Sequence, residues 1–565
     1  MRLRSLPPVL LVLFVLTGVS ITRPPAPHFD LLLRGGKVLD GSGNPWFRAD
    51  VGVIGRRIAA VGLLGSATAD EEIDVDGLFI TPGFVDLHSH AADVAWEDAG
   101  FDSPDPARRA APNLVAQGVT TVAINHDGRS PIDLAAQRAQ YEDAGIGINA
   151  VLMVGHGSVR ASVLGEDYRR ISTPDEIGRM RDLVRAAMES GAAGLSAGLE
   201  YAPGRWAETD EVVALMEEVA AFDGVYISHQ RSEGADPMWY WPSQDSAGPP
   251  TLIDAVLETI EIGERTGARV VASHLKAKGA HYWGSSASAI QLIEAARARG
   301  VRVFGDQYPY TTSGSDGSTV LLPRWAFATR ERGTETPDYA SHVDEVARDP
   351  VLGLALRRDI EHEIRRRGGA DRVVVLDAED KQLVGRSLEE IADQLAVNPV
   401  EAAIWLQVNG TRDRRGGVHL RGYSMDELDV DAYAARDWVA TASDAGIALP
   451  EDGPVHPRYW GTFPRKIRRY ALERQVQTVA DAVRSGTSLP AMLLGLSDRG
   501  LVREGLVADL AVLDLGTIRD HATAFDPHAK PDGIEHVILA GEWILRYGAA
   551  TGALSGSVLR PGESP

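Results

Sequence analysis

Between Thr81 and Ser485 the chain repeats one short unit, an apolar run followed by a helical stretch. After the opening run Thr81–Leu87, the apolar runs are Val119–Ile124, Ala150–Val154, Gly194–Leu199, Val225–Ser228, Val270–Ser273 and Val301–Phe304. Helical patterns such as Pro174–Ser190, Thr209–Ala221, Thr251–Thr266 and Ser288–Arg299 lie between them. Strands alternating with helices make parallel sheets, because a parallel neighbour is reached only by a long crossover. So many repeats over this length predict an α/β fold built on a closed (β/α)8 TIM-like barrel. The rival, an open doubly wound sheet, lacks its Gly-rich phosphate loop after the first strand.

The flanks read differently. Residues 29–80 are short β-like pieces separated by Arg34-Gly35-Gly36, Gly41-Ser42-Gly43-Asn44 and Gly55-Arg56. The same style returns in residues 486–562, at Ala508–Asp514 and Val537–Leu545. Two β-rich ends predict one small β-sandwich domain assembled from both termini. The barrel is then residues 81–485, and the charged, largely helical stretch 324–438 reads as an insertion before its last strand.

With 565 residues the chain exceeds the ~250–300 at which one core stops growing, in keeping with two units. A formal charge of −22 disfavours nucleic acid or an anionic membrane as the main partner. Residues 1–22 carry Arg2 and Arg4, then the apolar run Val9–Val19, a pattern that predicts a signal peptide and export; an uncleaved anchor is the alternative. No cysteine is present, so disulfides and Cys-ligated metal are excluded.

Barrel active sites gather where strands end. Reading those ends gives His88 and His90, His126 and Asp127, His156, Glu200, His229, His274, Asp306 and Asp444. In His88-Ser89-His90 two imidazoles one residue apart point to one face of a strand. A lone strand-end histidine is more often a hydrogen-bonded surface group, and a lone Asp before Ala-Gly a turn former. Four histidines and an aspartate at one rim instead suit one or two zinc ions. Met238-Trp239-Tyr240-Trp241-Pro242 either walls a pocket or packs on the rim, and His156 either meets substrate or fixes a loop.

From about Phe29 to Gly562 the chain resembles the amidohydrolase superfamily, and within it the N-acyl-D-amino-acid deacylases (D-aminoacylases). The resemblance rests on Gly83–His90, Gly118–Val122, Gly194–Leu199 with Tyr201–Gly204, Ser228–Glu233, Ser273–Lys276, Asp306–Tyr310, Ser443-Asp444, His456–Arg458, Gly461–Arg465 and Asp498–Gly500. It implies a tight zinc on His229 and His274, with His88, His90 and Asp444 around a weaker second site. It further implies Asp444 as general acid/base, and Lys276, Tyr308, Arg458 and Arg231 as substrate-binding residues. The family's ligating Cys in a Gly-Asn-Cys-Gly turn is replaced here by Asp127 in Asn125-His126-Asp127-Gly128. Of the two acids that could bridge metals in its place, Glu200 is the first choice and Asp127 the second.

The chemistry expected is amide hydrolysis of a small N-acyl amino acid by metal-activated water, with Asp444 moving the proton. Two other readings stand beside it. A cyclic-amide or dipeptide hydrolase of the same superfamily commonly bridges its metals with a carboxylated Lys, and Gly194–Leu199 has none. A non-catalytic barrel scaffold would be expected to have lost the ligands that are present here.

Overall fold

The computed structural model describes residues 27–92, 99–314, 319–327 and 337–562. The segment read as an export signal lies outside them. Among the described residues no helix is long and apolar enough to cross a membrane.

Eight parallel strands follow one another in chain order: β1 (Phe84–Asp86), β2 (Val119–Ile124), β3 (Asn149–Leu152, continued by Val154–Gly155), β4 (Gly194–Gly198), β5 (Val225–His229), β6 (Arg269–Ala272), β7 (Val303–Gln307) and β8 (Val439–Thr441). Each pairs with the next. The ladder runs in arcs and not as one unbroken closed sheet. It breaks within β3, where Met153 N–H bonds Ile124 O at 3.2 Å. Past the end of β8, Asp444 N–H bonds His88 O at 2.8 Å and Ala445-Gly446 pair in parallel with Ser89-His90, bringing the last strand back beside the first. The final strand of the chain, Val558-Leu559, slots beside β3.

Period-two alternation sorts the side chains. Val85, Ala123, Val151, Val225, Ile227, Val271, Ala440 and Ala442 form one apolar cluster to which strands from all round the arcs contribute, so it fills their interior. Tyr226, Val270 and Ala272 face the other way and pack with helix residues such as Val212, Met216, Val256 and Ile260. His229 continues the inner row Val225–Ile227, and Asp444 continues Ala440–Ala442. The inner face is apolar below and ionisable at its upper end.

Both chain ends meet in a single nine-stranded sheet, ordered Ala549-Ala550, Glu542–Arg546, Ile534–Leu539, Leu510–Leu513, Phe79–Pro82, His28–Val38, Phe47–Ile54, Arg57–Gly62, with Thr68–Asp74 beside the first half of His28–Val38. Leu31, Leu33, Val51 and Val53 from the front of the chain share a core with Leu510, Val512 and Ile538 from the back. The long strand bends at a bulge between Leu33 and Gly36. Gly35, within the bulge, adopts φ 74°, a conformation that favours glycine.

Between β7 and β8, the described residues from 321 to 327 and from 337 to 420 have a core of their own, including Leu321, Val343, Leu356, Ile360, Val375, Ile391 and Leu420. Helices Tyr339–Arg348, Leu352–Arg366, Leu388–Leu395 and Pro399–Asn409 surround the antiparallel pair Val373–Asp377 and His419–Gly422. Gly279 N–H to Ser424 O, 2.8 Å, and Ala280 N–H to Arg365 O, 3.1 Å, latch this unit to the loop after β6.

Candidate metal centre

Asp127 sits at the middle of the rim. Its Oδ1 lies 3.4 Å from His88 Nε2, 3.7 Å from His229 Nδ1 and 3.8 Å from His274 Nε2. Its Oδ2 lies 3.7 Å from His90 Nε2. Two ligand triads result, His88–His90–Asp127 and Asp127–His229–His274, and Asp127 belongs to both. Asp444 closes the other side, with Oδ1 3.2 Å from His90 Nε2 and Oδ2 accepting from Arg458 Nη1 at 2.7 Å.

Backbone geometry aims these groups. Asn125, Asp127, His274 and Asp444 all adopt left-handed φ, between 37° and 68°. That conformation is uncommon outside glycine, and Asn, Asp and His are the residue types that enter it most readily. Each of the four lies just past a strand end, where the turn swings its side chain over the mouth of the ring.

Three further carboxylates stand behind the imidazoles and select their tautomers. Ser273 Oγ donates its only hydrogen to Asp306 Oδ2 at 2.7 Å, so it accepts from His88 Nδ1 at 2.6 Å. His229 Nε2 donates to Glu200 Oε2 at 2.8 Å, and His274 Nδ1 lies 3.1 Å from Glu233 Oε1. The lone pairs of His88 Nε2 and His229 Nδ1 are thereby turned toward Asp127; His274 Nε2 faces it as well, while its Nδ1 also meets Lys276 Nζ at 2.9 Å. His88 Nε2 and Asp127 Oδ1 are buried without a hydrogen-bond partner.

A tetrahedral ion with ligands at about 2.1 Å spaces its donors roughly 3.4 Å apart. The separations of Asp127 from the imidazoles run from that value to 3.8 Å, beyond good hydrogen-bond lengths, while His229 Nδ1 and His274 Nε2 stand 3.0 Å apart. The donor set therefore fits a divalent ion at either triad. Ionisation agrees. Burial pushes the Asp127 carboxyl up, but the surrounding imidazoles outweigh it and hold it well below the usual carboxylate range. Burial raises Asp444 too, and Arg458 with His90 carries it well below. Burial holds His88 well below its ordinary value and His126 down to about 3, so both rings are neutral at pH 7.

The ring of residues opens into a cavity of about 1000 Å³. Lys276, Tyr308 and Arg458 line it together. Lys276 Nζ and the Arg458 guanidinium lie 5.1 and 4.6 Å from the Tyr308 ring centre, and Tyr308 Oη is buried without a partner. Two cations and an unused hydroxyl suit one carboxylate.

Several expectations change. Glu200, the first choice as bridge, is not between these two triads, though with His229 and Glu233 it forms a third group of possible ligands. It lies behind His229, and its other oxygen accepts from Met238 N–H at 2.5 Å. The left-handed turn puts Asp127 in the bridging place. Arg231 does not line the cavity; its guanidinium is spent on Glu258 at 2.8 and 2.9 Å and on the carbonyls of Arg205 and Ala207. His156 is buried against Glu211 at 2.9 Å, which fixes the loop and leaves it off the cavity wall. Met238 and Trp241 do wall the cavity. His126 stacks on His88 with ring centres 4.1 Å apart. Asp306 reads in the sequence as a strand-end candidate with no role, and Glu233 and Ser273 are not singled out there at all.

The comparisons agree with this geometry. A model of the Amidohydro_3 family, the amidohydrolase family, matches residues 71–544. A D-aminoacylase of Alcaligenes xylosoxydans xylosoxydans is 34% identical, over 94% of this chain and 97% of its own. A solved D-aminoacylase, described with a binuclear metal centre, superposes with a TM-score of 0.70 at 30% identity, covering 94% of this chain and all of that one. An N-acyl-D-glutamate deacylase of Bordetella bronchiseptica, solved with zinc and a phosphonate mimic of the tetrahedral intermediate, gives 0.69 at 28%, with 94% and 100% covered.

Proposed function

Since the chain belongs to the amidohydrolase family, we propose that it is a zinc-dependent deacylase that hydrolyses the amide bond of N-acyl-D-amino acids. The observation that carries this is the shared cavity. Two ligand triads joined at Asp127 open onto the same space as Lys276, Tyr308 and Arg458. An amide carrying an α-carboxylate meets both at once.

His88, His90, Asp127, His229, His274 and Asp444 would hold the metal, which when bound supplies a Lewis acid that makes water acidic near neutral pH. The chain's own groups do the rest. Arg458 occupies Asp444 Oδ2 and leaves Oδ1, on the His90 side, to take a proton from the attacking water. Asp444 then delivers that proton to the departing amine. Lys276, Tyr308 and Arg458 pin the carboxylate, so that the scissile carbonyl is presented in one orientation. Trp241 and Met238 limit access of bulk water from one wall.

Hydrolysis of a panel of N-acyl amino acids of both hands, with and without added zinc, tests the reading. Turnover of the D series that depends on metal is expected. Asp444→Asn should lower kcat by roughly 10²–10⁴-fold while zinc remains bound at His229 and His274. Full activity in that variant, or no turnover of any member, overturns it.

A further inference from the structure

On the cavity wall beside Lys276 lies a second cationic cluster that the reaction does not use. Lys278, Arg366 and Arg367 line the same cavity, with Glu233 and Glu363 among them. Lys276, Lys278, Arg366, Glu233 and Glu363 are each no more than 6% exposed. The loop after β6 supplies the lysines, the loop after β5 supplies Glu233, and helix Leu352–Arg366 with the residue after it supplies the rest.

The charges do not balance. Glu233 gives Oε1 to Lys276 in a short contact, and only Oε2, at 3.4 Å, to Lys278. Glu363 is shared by Arg366 and by Arg367 Nε at 2.6 Å. Four cations thus face three carboxylates, Glu233, Glu363 and Asp236. Asp236 approaches Arg366 at 3.7 Å but is shared with His362 at 3.1 Å, and Glu200 is used on His229 and Met238. Among the described residues no other carboxylate comes within 4 Å of these four cations. A buried unpaired charge is expensive unless an anion joins it.

The cluster is also held still. Gly234 and Lys278 form a parallel bridge, Lys278 N–H bonds Glu233 O at 3.0 Å, and Ala280 N–H bonds Arg365 O. Arg366 donates to the carbonyls of Pro237 and Met238 at 2.7 and 3.1 Å. A group that fits between Lys278 and the arginines therefore meets preset donors. Burial pushes the Lys278 ammonium down, and a neighbouring anion would reverse that.

We propose that Lys278, with Arg366 and Arg367, receives a second anionic group of the substrate, so that N-acyl amino acids bearing two carboxylates are preferred. The inference rests on the deacylase reading and narrows it. Because Lys276 and Lys278 share Glu233, the two anion positions lie within the span of one small molecule. The second carboxylate sits either on the amino-acid side chain or on the acyl arm.

The test compares pairs that differ by one charge at nearly constant shape, on the zinc-loaded enzyme. N-acetyl-D-glutamate is set against N-acetyl-D-glutamine, and N-succinyl-D-alanine against its terminal amide. At least one dianion should exceed its amide in kcat/KM by about tenfold or more, and the pair that does so names the arm. Lys278→Met should cut that ratio by a similar factor, and Lys278→Arg should keep it. Calorimetric titration of the free amino acids D-glutamate and D-glutamine reads the side-chain preference without turnover. Equal handling of both pairs, with the amides cleaved, overturns this inference and leaves the deacylase reading standing. No cleavage of any of the four overturns both.

Discussion

Asp127 and Glu211 are both buried carboxylates beside a histidine at the barrel, yet they are treated in opposite ways. Glu211 accepts from His156 Nε2 at 2.9 Å, from Ser172 Oγ at 2.6 Å and from Arg160. Its two oxygens are saturated. Asp127 has four imidazoles around it, none nearer than 3.4 Å, and its Oδ1 has no hydrogen-bond partner. A polar cluster made for stability closes upon itself, because an unmet buried acceptor costs about 1–3 kcal/mol. One made to hold an ion keeps its donors apart at ion-sized spacing. Spacing, more than residue type, separates the two regions.

The largest effect should come from breaking the open cluster at its shared member. Asp127→Ala should lose bound zinc and lower kcat/KM by about 10³-fold, measured by elemental analysis and steady-state kinetics. Added zinc should raise the melting temperature of the parent protein and not of this variant. Glu200→Gln should act one step back, weakening metal affinity about 10–100-fold in chelator competition by loosening His229.

The closed cluster should fail differently. Glu211→Gln is expected to cost about 3 kcal/mol in urea unfolding at pH 7 with zinc content unchanged. The pH dependence has a definite sign. Burial raises the Glu211 carboxyl, but His156, Ser172 and Arg160 outweigh it and bring it down from 4.5 to about 2. A depressed carboxylate stabilises the fold fully above about pH 4.5 and ceases to do so as pH falls toward 2. Stability of the parent should therefore drop through that window more steeply than that of the variant. The smallest change belongs to Arg231→Lys, which should lower stability by about 1 kcal/mol and leave KM untouched, since Arg231 faces Glu258 and not the cavity. A raised KM would restore Arg231 to the substrate.

Much of this was readable in the chain itself, for a geometric reason. Parallel strands of a barrel end at one rim, so His88, His90, His229, His274 and Asp444 could be gathered from the ends of apolar runs without knowing any contact. The choice between Glu200 and Asp127 could not be made that way. Both follow strands, and what decides is the left-handed φ of Asn125 and Asp127, which no spacing reveals. Arg231 misled because its partner Glu258 sits on the following helix, 27 residues away. The cluster around Lys278 was hidden for a similar cause, being joined only when helix Leu352–Arg366 folds back over the rim.

The nine-stranded sheet has a consequence for how the molecule is made. Thr81 Oγ1 donates to Ala511 O across 430 residues of chain. At about 5–20 residues per second, Phe79–Pro82 leaves the ribosome roughly 20–90 s before the strand that will cover it. Throughout that interval its edge is bare, the kind of surface that recruits strangers. Translation must therefore pass Leu510–Leu513 before the first-born part of the molecule is safe, and a message cut short ahead of Leu510 would release a barrel with a sticky, half-built flank.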